Sequence, residues 1–136
     1  MTAAPQATAV WDLDAASASE LEAALNTVSA FVEQLRRASV GIPRCWYVHG
    51  WVVYRLAALH QAHGEALRQT ASARDAVWWW ESLEGLRRDM QPLLRHSAMH
   101  PPADDPLGEP APLPTLDEHI AKAVGARRSE QDEPCR

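Results

Sequence analysis

Two clusters of tryptophan constrain this chain more than any other feature. One runs from Cys45 to Trp51 and reads CWYVHGW, and the other is Trp78-Trp79-Trp80; together they hold five of the six tryptophans. Each cluster opens a stretch in which apolar residues recur every three or four positions, which is the spacing of an amphipathic helix. Because an indole buries a large apolar area, packing the two clusters together is enough to anchor a small core. The sequence therefore predicts a helical domain.

The first two helices are predicted from long apolar seams. The first is expected to be capped by Asp12 or Asp14 and to stop at Gly41 and Pro43. Its seam consists of Leu21, Leu25, Val28, Val32 and Leu35. The second is expected to begin within 44–47, with a seam of His49, Val52, Leu56, Leu59, His63 and Ala66 beside an aromatic stripe of Tyr47, Trp51 and Tyr54. Such a wide apolar face is typical of a helix that two others cover.

The third helix carries the tryptophan triplet. Ser72 or Asp75 is expected to cap it, and Pro92 to kink or end it, because proline lacks an amide hydrogen and crowds the preceding turn. Its seam consists of Trp79, Leu83, Leu86, Met90 and Leu93. Trp78 and Trp80 flank that seam, so at least one of them is expected to be partly exposed.

Beyond the third helix the composition changes. Residues 101–114 contain six prolines, which favours an extended linker. Thr115 and Glu118 then have the spacing of a capping box, in which each side chain satisfies a backbone amide of the other residue. A short helix of about 12 residues is expected to follow, and at that length it is marginal unless it docks. Its apolar face consists of Leu116, Ile120, Ala123 and Val124.

The predicted fold is all-α: a three-helix antiparallel bundle, then a Pro-rich linker and a short C-terminal helix. Short connections between helices favour antiparallel neighbours. The expected divisions are a flexible arm over 1–11, the bundle domain over 12–100, an acidic linker over 101–114, and a short amphipathic helix with a tail over 115–136.

Composition and motifs argue against several classes of function. The net charge is −5, most of it carried by residues 101–136, so the charge balance argues against nucleic-acid binding. Residues 1–9 lack a basic start followed by an apolar run, and no stretch approaches the ~20 apolar residues of a membrane span. We expect a cytoplasmic protein with no membrane association. Because no phosphate-binding loop and no GxSxG turn occur, we expect no enzymatic activity and no cofactor.

Two alternatives involve Cys45. Cys45 with His49, and His96 with His100, are pairs one helical turn apart, and together they would supply the four ligands of a structural zinc site. Alternatively, Cys45 is a catalytic nucleophile activated by His49. The preferred interpretation is a small buried cysteine, because the chain has no CxxC pair, no HExxH signature and no motif for an oxyanion site.

The tryptophan triplet favours a binding function. Successive helical residues point about 100° apart, so the three indoles cannot all face one core. Exposed tryptophan is enriched at protein interfaces. We therefore predict a non-enzymatic interaction protein that binds a protein partner or a second copy of itself, with contact residues Trp78, Trp80, Trp51 and Tyr47. The C-terminal helix is the alternative cover for this surface.

Three segments of the chain carry a family resemblance. Residues 45–49 (CWYVH), 53–59 (VYRLAAL) and 76–81 (AVWWWE), followed by a leucine-containing helix, resemble a family of small, uncharacterised, Trp-rich actinobacterial proteins. Members often occur on plasmids, integrated elements or phages. The resemblance covers roughly residues 44–100. It implies no catalytic residues, and it implies a role connected with a mobile genetic element.

Overall fold

The computed structural model describes residues 10–66, 72–95, 99–100, 109 and 111–132. These ranges are mostly helical, which confirms the all-α prediction. The α-helices are α1 (Ala18–Arg37), α2 (Gly50–Ala66), α3 (Ala73–Met90) and α4 (Leu116–Asp132). Shorter 3-10 helices span Val10–Ala15, Trp46–Val48 and Gln91–Arg95, and two short strands, β1 (Met99–His100) and β2 (Ala111–Pro112), pair antiparallel.

Helix α1 begins later than predicted. Ser17 caps it, because its Oγ accepts a hydrogen bond from the backbone N–H of Glu20 at 3.2 Å. The predicted cap at Asp12 or Asp14 is wrong, since both residues lie in the 3-10 helix Val10–Ala15. That helix also starts inside the predicted arm over 1–11, whose first nine residues lie outside the described ranges. The whole predicted seam of α1 is buried.

Helix α2 begins at Gly50, so the predicted start within 44–47 is wrong. Trp46–Val48 forms a 3-10 helix, and the chain is extended at His49 before α2 starts. The central seam residues Val52, Leu56 and Leu59 are buried. As its wide apolar face predicts, α2 packs against both α1 and α3.

Both ends of α3 agree with the sequence prediction. The Ser72 hydroxyl accepts a hydrogen bond from the Asp75 amide at 3.3 Å, and the Asp75 carboxylate accepts one from the Ser72 amide at 3.0 Å. The α-helix ends at Met90, and a 3-10 helix containing Pro92 follows. Trp79, Leu83, Leu86 and Met90 are buried, and Leu93 packs partly buried against them.

Contacts between specific residues show how the first three helices run. Arg55, early in α2, pairs with Asp89, late in α3, and the ring of His63, late in α2, contacts that of Trp79, early in α3. Helices α2 and α3 therefore run in opposite directions. Phe31, in the second half of α1, contacts His63, also in the second half of α2. The antiparallel order predicted for the bundle is thus not confirmed for α1 and α2.

Helix α4 joins the same core. The capping box is confirmed: the Thr115 amide donates to the Glu118 carboxylate at 3.1 Å, and the Glu118 amide donates to the Thr115 hydroxyl at 3.2 Å. The helix has 17 residues and packs against α1, where Ile120 and Val124 are buried with the core residues of the other helices. Its length exceeds the predicted ~12 residues, and its docking explains why it does not need to be stable alone.

Arg127 connects the second half of α4 to the residues that precede α1. Its Nη1 donates hydrogen bonds to the backbone carbonyls of Leu13 at 3.0 Å, Asp14 at 3.0 Å and Ala16 at 2.6 Å. The side chain of Gln131 also accepts a bond from the Ala18 amide at 3.4 Å. These contacts tie α4 to the start of α1. Of the predicted linker, residues 101–108 and 110 lie outside the described ranges.

Candidate interaction surface

The core uses one tryptophan of the triplet. Trp79 is 5% exposed, and its indole N–H donates to the backbone carbonyl of Leu59 at 2.8 Å. Its ring also contacts that of His63, with 4.9 Å between centroids. A buried indole needs a partner for its polar N–H, and α2 supplies one here. Trp79 therefore anchors α3 on α2 and is unavailable to a partner.

The two flanking tryptophans face outward. Trp78 is 60% exposed and Trp80 is 55% exposed, as the 100° rotation per residue predicts. The ring of Trp80 meets that of Trp79 edge to face at 5.1 Å, and the neighbouring Val77 is exposed as well. Helix α4 packs on α1, so it does not cover these side chains. Trp78 and Trp80 lie on opposite flanks of the Trp79 seam.

Trp78 lies beside a groove between α2 and α3. The groove has a volume of about 300 Å³. We call it the α2/α3 groove, and it is lined by Arg55, Ala58, Leu59, Ala62, Trp78, Ser82 and Gly85. The small side chains of both helices leave the space open, and the indole of Trp78 forms one wall. An open apolar hollow next to an exposed indole is a shape that suits a side chain of another molecule.

Trp51 lies on the same face of α2 as the groove-lining residues. It precedes Arg55 by four positions and Ala62 by eleven, which are helical repeats that share one face. It is 42% exposed. Ala62 lies about 16 Å from Trp51 along the axis of α2, and Trp78 lines the groove together with Ala62. Trp51 and Trp78 therefore lie toward opposite ends of one surface.

Charged groups converge near Gly85. Arg55 and Asp89 form an ion pair across the groove at 2.6 Å, with side chains 40% and 52% exposed. A Cβ at Gly85 would lie 3.8 Å from the guanidinium nitrogens of both Arg55 and Arg88. An ion pair this exposed contributes at most about 1 kcal/mol to stability, so it is open to rearrangement by a ligand.

Tyr47 does not line the α2/α3 groove. It is buried at the start of α4, where its hydroxyl donates to the backbone carbonyl of Pro114 and its ring contacts that of His119 at 5.4 Å. Burial, followed by the nearby Cys45 and Glu118, raises the pKa of the Tyr47 hydroxyl. Of the four predicted contact residues, Tyr47 is therefore the one that the fold itself covers.

The structure places Cys45 in the core. Its thiol contacts the backbone carbonyl of Leu93 at 3.9 Å, and burial raises its pKa, which opposes the thiolate that a nucleophile or a zinc ligand needs. His96 and the side chain of His100 lie outside the described residues. Among the side chains that are described, no three of His, Cys, Asp and Glu are close enough to hold a metal ion together.

A second cavity of about 250 Å³ lies where α4 meets α1 and α2. The hydroxyl of Tyr54 is buried beside it, and burial, followed by the neighbouring Asp14 side chain, raises the pKa of this hydroxyl. Arg127 also lines this cavity, and its guanidinium is already bound to backbone carbonyls. Arg127 in this cavity therefore serves the docking of α4.

Sequence reasoning identified the exposed indoles and missed the groove between the helices. The signal was present in the spacing of small residues. Ala58 and Ala62 on α2, and Ser82 and Gly85 on α3, recur at three or four positions, so each helix carries a stripe of low side-chain volume. Recognising a groove also requires knowing that the two stripes face each other, which only the pairing of α2 with α3 establishes.

Comparisons with known proteins give no further guidance. No family model matches the chain, and neither curated proteins nor solved structures include one that is similar to it. The resemblance to Trp-rich actinobacterial proteins thus stays an expectation from the sequence. Of the helices in the described part, none is both long and apolar enough to cross a membrane.

Proposed function

We propose that this chain is a non-enzymatic protein-interaction module that contacts its partner through Trp78, Trp51 and the α2/α3 groove between them. The observation that carries the proposal is the exposure of Trp78, 60%, directly beside an open groove of about 300 Å³. Trp80 belongs to the proposed surface as a second, separate contact on the other flank of α3. The proposal needs only the pairing of α2 with α3, not an antiparallel three-helix bundle.

Physical chemistry supports a binding role for these indoles. Burying a large apolar side chain contributes about 2–3 kcal/mol, and tryptophan is among the residues that dominate interface energetics. An indole held on a helix has little conformational freedom left to lose on binding. Because Trp79 and the rest of the buried seam hold α3 on α2, Trp78 and Trp80 are free to act at an interface without cost to the fold.

The proposal is tested by capture of partners from the native host. The bait is the full chain as wild type, Trp78→Ala or Trp80→Ala, with folding checked by circular dichroism. Deleting the C-terminal helix is unsuitable, because Ile120 and Val124 belong to the core. We expect a specific protein that wild type retains and Trp78→Ala loses.

Self-association is measured on the same variants by size-exclusion chromatography with light scattering. A wild-type dimer that Trp78→Ala converts to a monomer supports the second-copy form of the proposal. If wild type is a strict monomer and captures nothing that depends on Trp78 or Trp80, the proposal is wrong.

The biological context belongs to the proposal as well. We infer that the module acts in the cytoplasm as an accessory or regulatory factor of a mobile genetic element. The support is the resemblance of residues 44–100 to proteins carried on such elements. Identification of a captured partner encoded on the same element would support this inference.

A further inference from the structure

The α2/α3 groove is chemically different at its two ends. At one end Trp78 and Ala62 present apolar surface, and at the other the guanidinium groups of Arg55 and Arg88 both approach Gly85. Among the described residues, Arg55 is paired with Asp89, whereas Arg88 forms no ion pair. The basic end thus holds two guanidinium groups, of Arg55 and Arg88, and one paired carboxylate, that of Asp89. The whole protein, in contrast, has a net charge of −5.

The two ends of the groove are two helical turns apart, and its middle lies about one turn from the basic end. Along α3, Trp78, Ser82 and Gly85 follow one another at intervals of about one turn, roughly 6 Å and then roughly 4.5 Å along the helix axis. A side chain seated over Ser82 in the middle of the groove therefore lies about one turn from the guanidinium groups at Gly85. A helix lying along the groove presents residues at just this interval when they are three or four positions apart.

We propose that the α2/α3 groove binds a helix of a protein partner that carries a large apolar residue and an acidic residue one turn apart on the same face. The inference rests on the proposed function and names the partner's chemistry. The apolar side chain lies over Ala58 and Ser82 beside Trp78, and the carboxylate pairs with Arg88 and Arg55. Arginine suits this role because its planar guanidinium binds a carboxylate through two hydrogen bonds.

The test is selection of a displayed library of helical peptides on the immobilised full chain. Enriched peptides are synthesised, and their affinities are measured by fluorescence anisotropy. We expect enriched sequences with a large apolar residue three or four positions from Asp or Glu, and affinities that fall as salt is raised. Trp78→Ala should weaken binding by at least about tenfold, as loss of an interface anchor does.

Charge and shape are tested separately. Arg88→Glu places a like charge against the carboxylate and should weaken binding about three- to tenfold, whereas the matched reversal Arg128→Glu, on the exposed face of α4, should leave it unchanged. Gly85→Leu should also block the groove. A Cβ there meets only the two arginine ends at 3.8 Å, and leucine is the better helix former, so this variant is expected to fold.

The outcomes separate the two proposals. Peptides that depend on Trp78 but lack an acidic residue and tolerate Arg88→Glu would overturn the inference and leave the proposed function in place. Peptides that depend on Trp80 alone, or no enrichment at all, would overturn the inference, and capture of host partners then decides the proposed function independently.

Discussion

Three consecutive tryptophans occupy three different environments on α3. Trp79 is buried with its N–H satisfied by the Leu59 carbonyl, while Trp78 and Trp80 stay more than half exposed. The same side chain therefore contributes to folding at one position and to the surface at its two neighbours. The difference follows from helix rotation, since only one residue in three or four faces α2.

Substitution of Trp79 tests this division of roles. Trp79→Ala leaves a cavity in the core and should lower the free energy of unfolding by about 3–5 kcal/mol. Trp79→Phe keeps an aromatic ring but removes the donor to Leu59, so a smaller loss of about 1–3 kcal/mol is expected. Trp80→Ala, as the exposed control, should cost less than about 1 kcal/mol. Urea unfolding followed by circular dichroism measures the free energy of unfolding of all three variants. If Trp79→Ala and Trp80→Ala lower it equally, the assignment of Trp79 to the core and Trp80 to the surface is wrong.

At the scale of single elements, glycine inside a helix is a local weakness. Gly85 in α3 and Gly125 in α4 both lie within helices and have φ below zero. A Cβ at Gly125 would meet nothing within 4 Å, and one at Gly85 would make only ordinary contacts with two arginine ends. Neither position therefore requires glycine for backbone geometry.

Alanine at either glycine should stabilise the protein. The expected gain is about 0.5–1 kcal/mol each, because alanine restricts the unfolded chain and favours helix. Thermal unfolding should show a rise in Tm of about 2–4 °C for Gly125→Ala and a similar rise for Gly85→Ala. A lower Tm for Gly85→Ala alone would show that the groove is tighter than the contact distances indicate.

The elements also show what the sequence could and could not predict. Apolar spacing located the seams of α1 and α3, and side-chain chemistry located the caps at Ser72 and Thr115, because these features depend on residues close in the chain. The start of α1 was misplaced because two aspartates precede Ser17, and both aspartate and serine are good caps. The α2/α3 groove, the burial of Tyr47 and the role of Arg127 depend on contacts distant in sequence.

At the scale of the whole molecule, Arg127 connects the two ends of the described chain. Its side chain is 19% exposed, and one guanidinium nitrogen serves three carbonyls between Leu13 and Ala16. Arg127→Ala should lower the free energy of unfolding by about 1.5–3 kcal/mol, the range for hydrogen bonds that involve a charged group. Arg128→Ala, at an exposed position on the same helix, is the matched control and should be nearly neutral.

Which part of the Arg127→Ala variant loses stability is as informative as how much stability the variant loses. Hydrogen exchange should become faster in α4 and in Leu13–Ala16 of the Arg127→Ala variant, while Leu56 and Leu86 in the centre of the core keep their protection. Uniformly faster exchange would instead mean that α4 is inseparable from the cooperative unit formed by α1, α2 and α3.

Stability should also depend on pH through two histidines at helix contacts. Burial, followed by the neighbouring charge of His63, lowers the pKa of His60; burial, followed by Lys122, lowers that of His119. Both groups therefore bind protons more readily in the unfolded chain, where the pKa is about 6.5. By linkage, stability is complete above about pH 6.5 and is lost as the pH falls through the lowered folded-state values.

The expected result is a free energy of unfolding that is constant near pH 7.5 and declines between about pH 6.5 and pH 5, above the range in which carboxylates titrate. Replacing His60 with Phe keeps a ring against Phe31, whose centroid lies 5.0 Å from that of His60, and replacing His119 with Phe keeps one against Tyr47. The double variant should show a flatter decline in urea unfolding, because two groups that must take up protons on unfolding have been removed. If its decline is as steep as that of wild type, other groups control the acid stability of this fold.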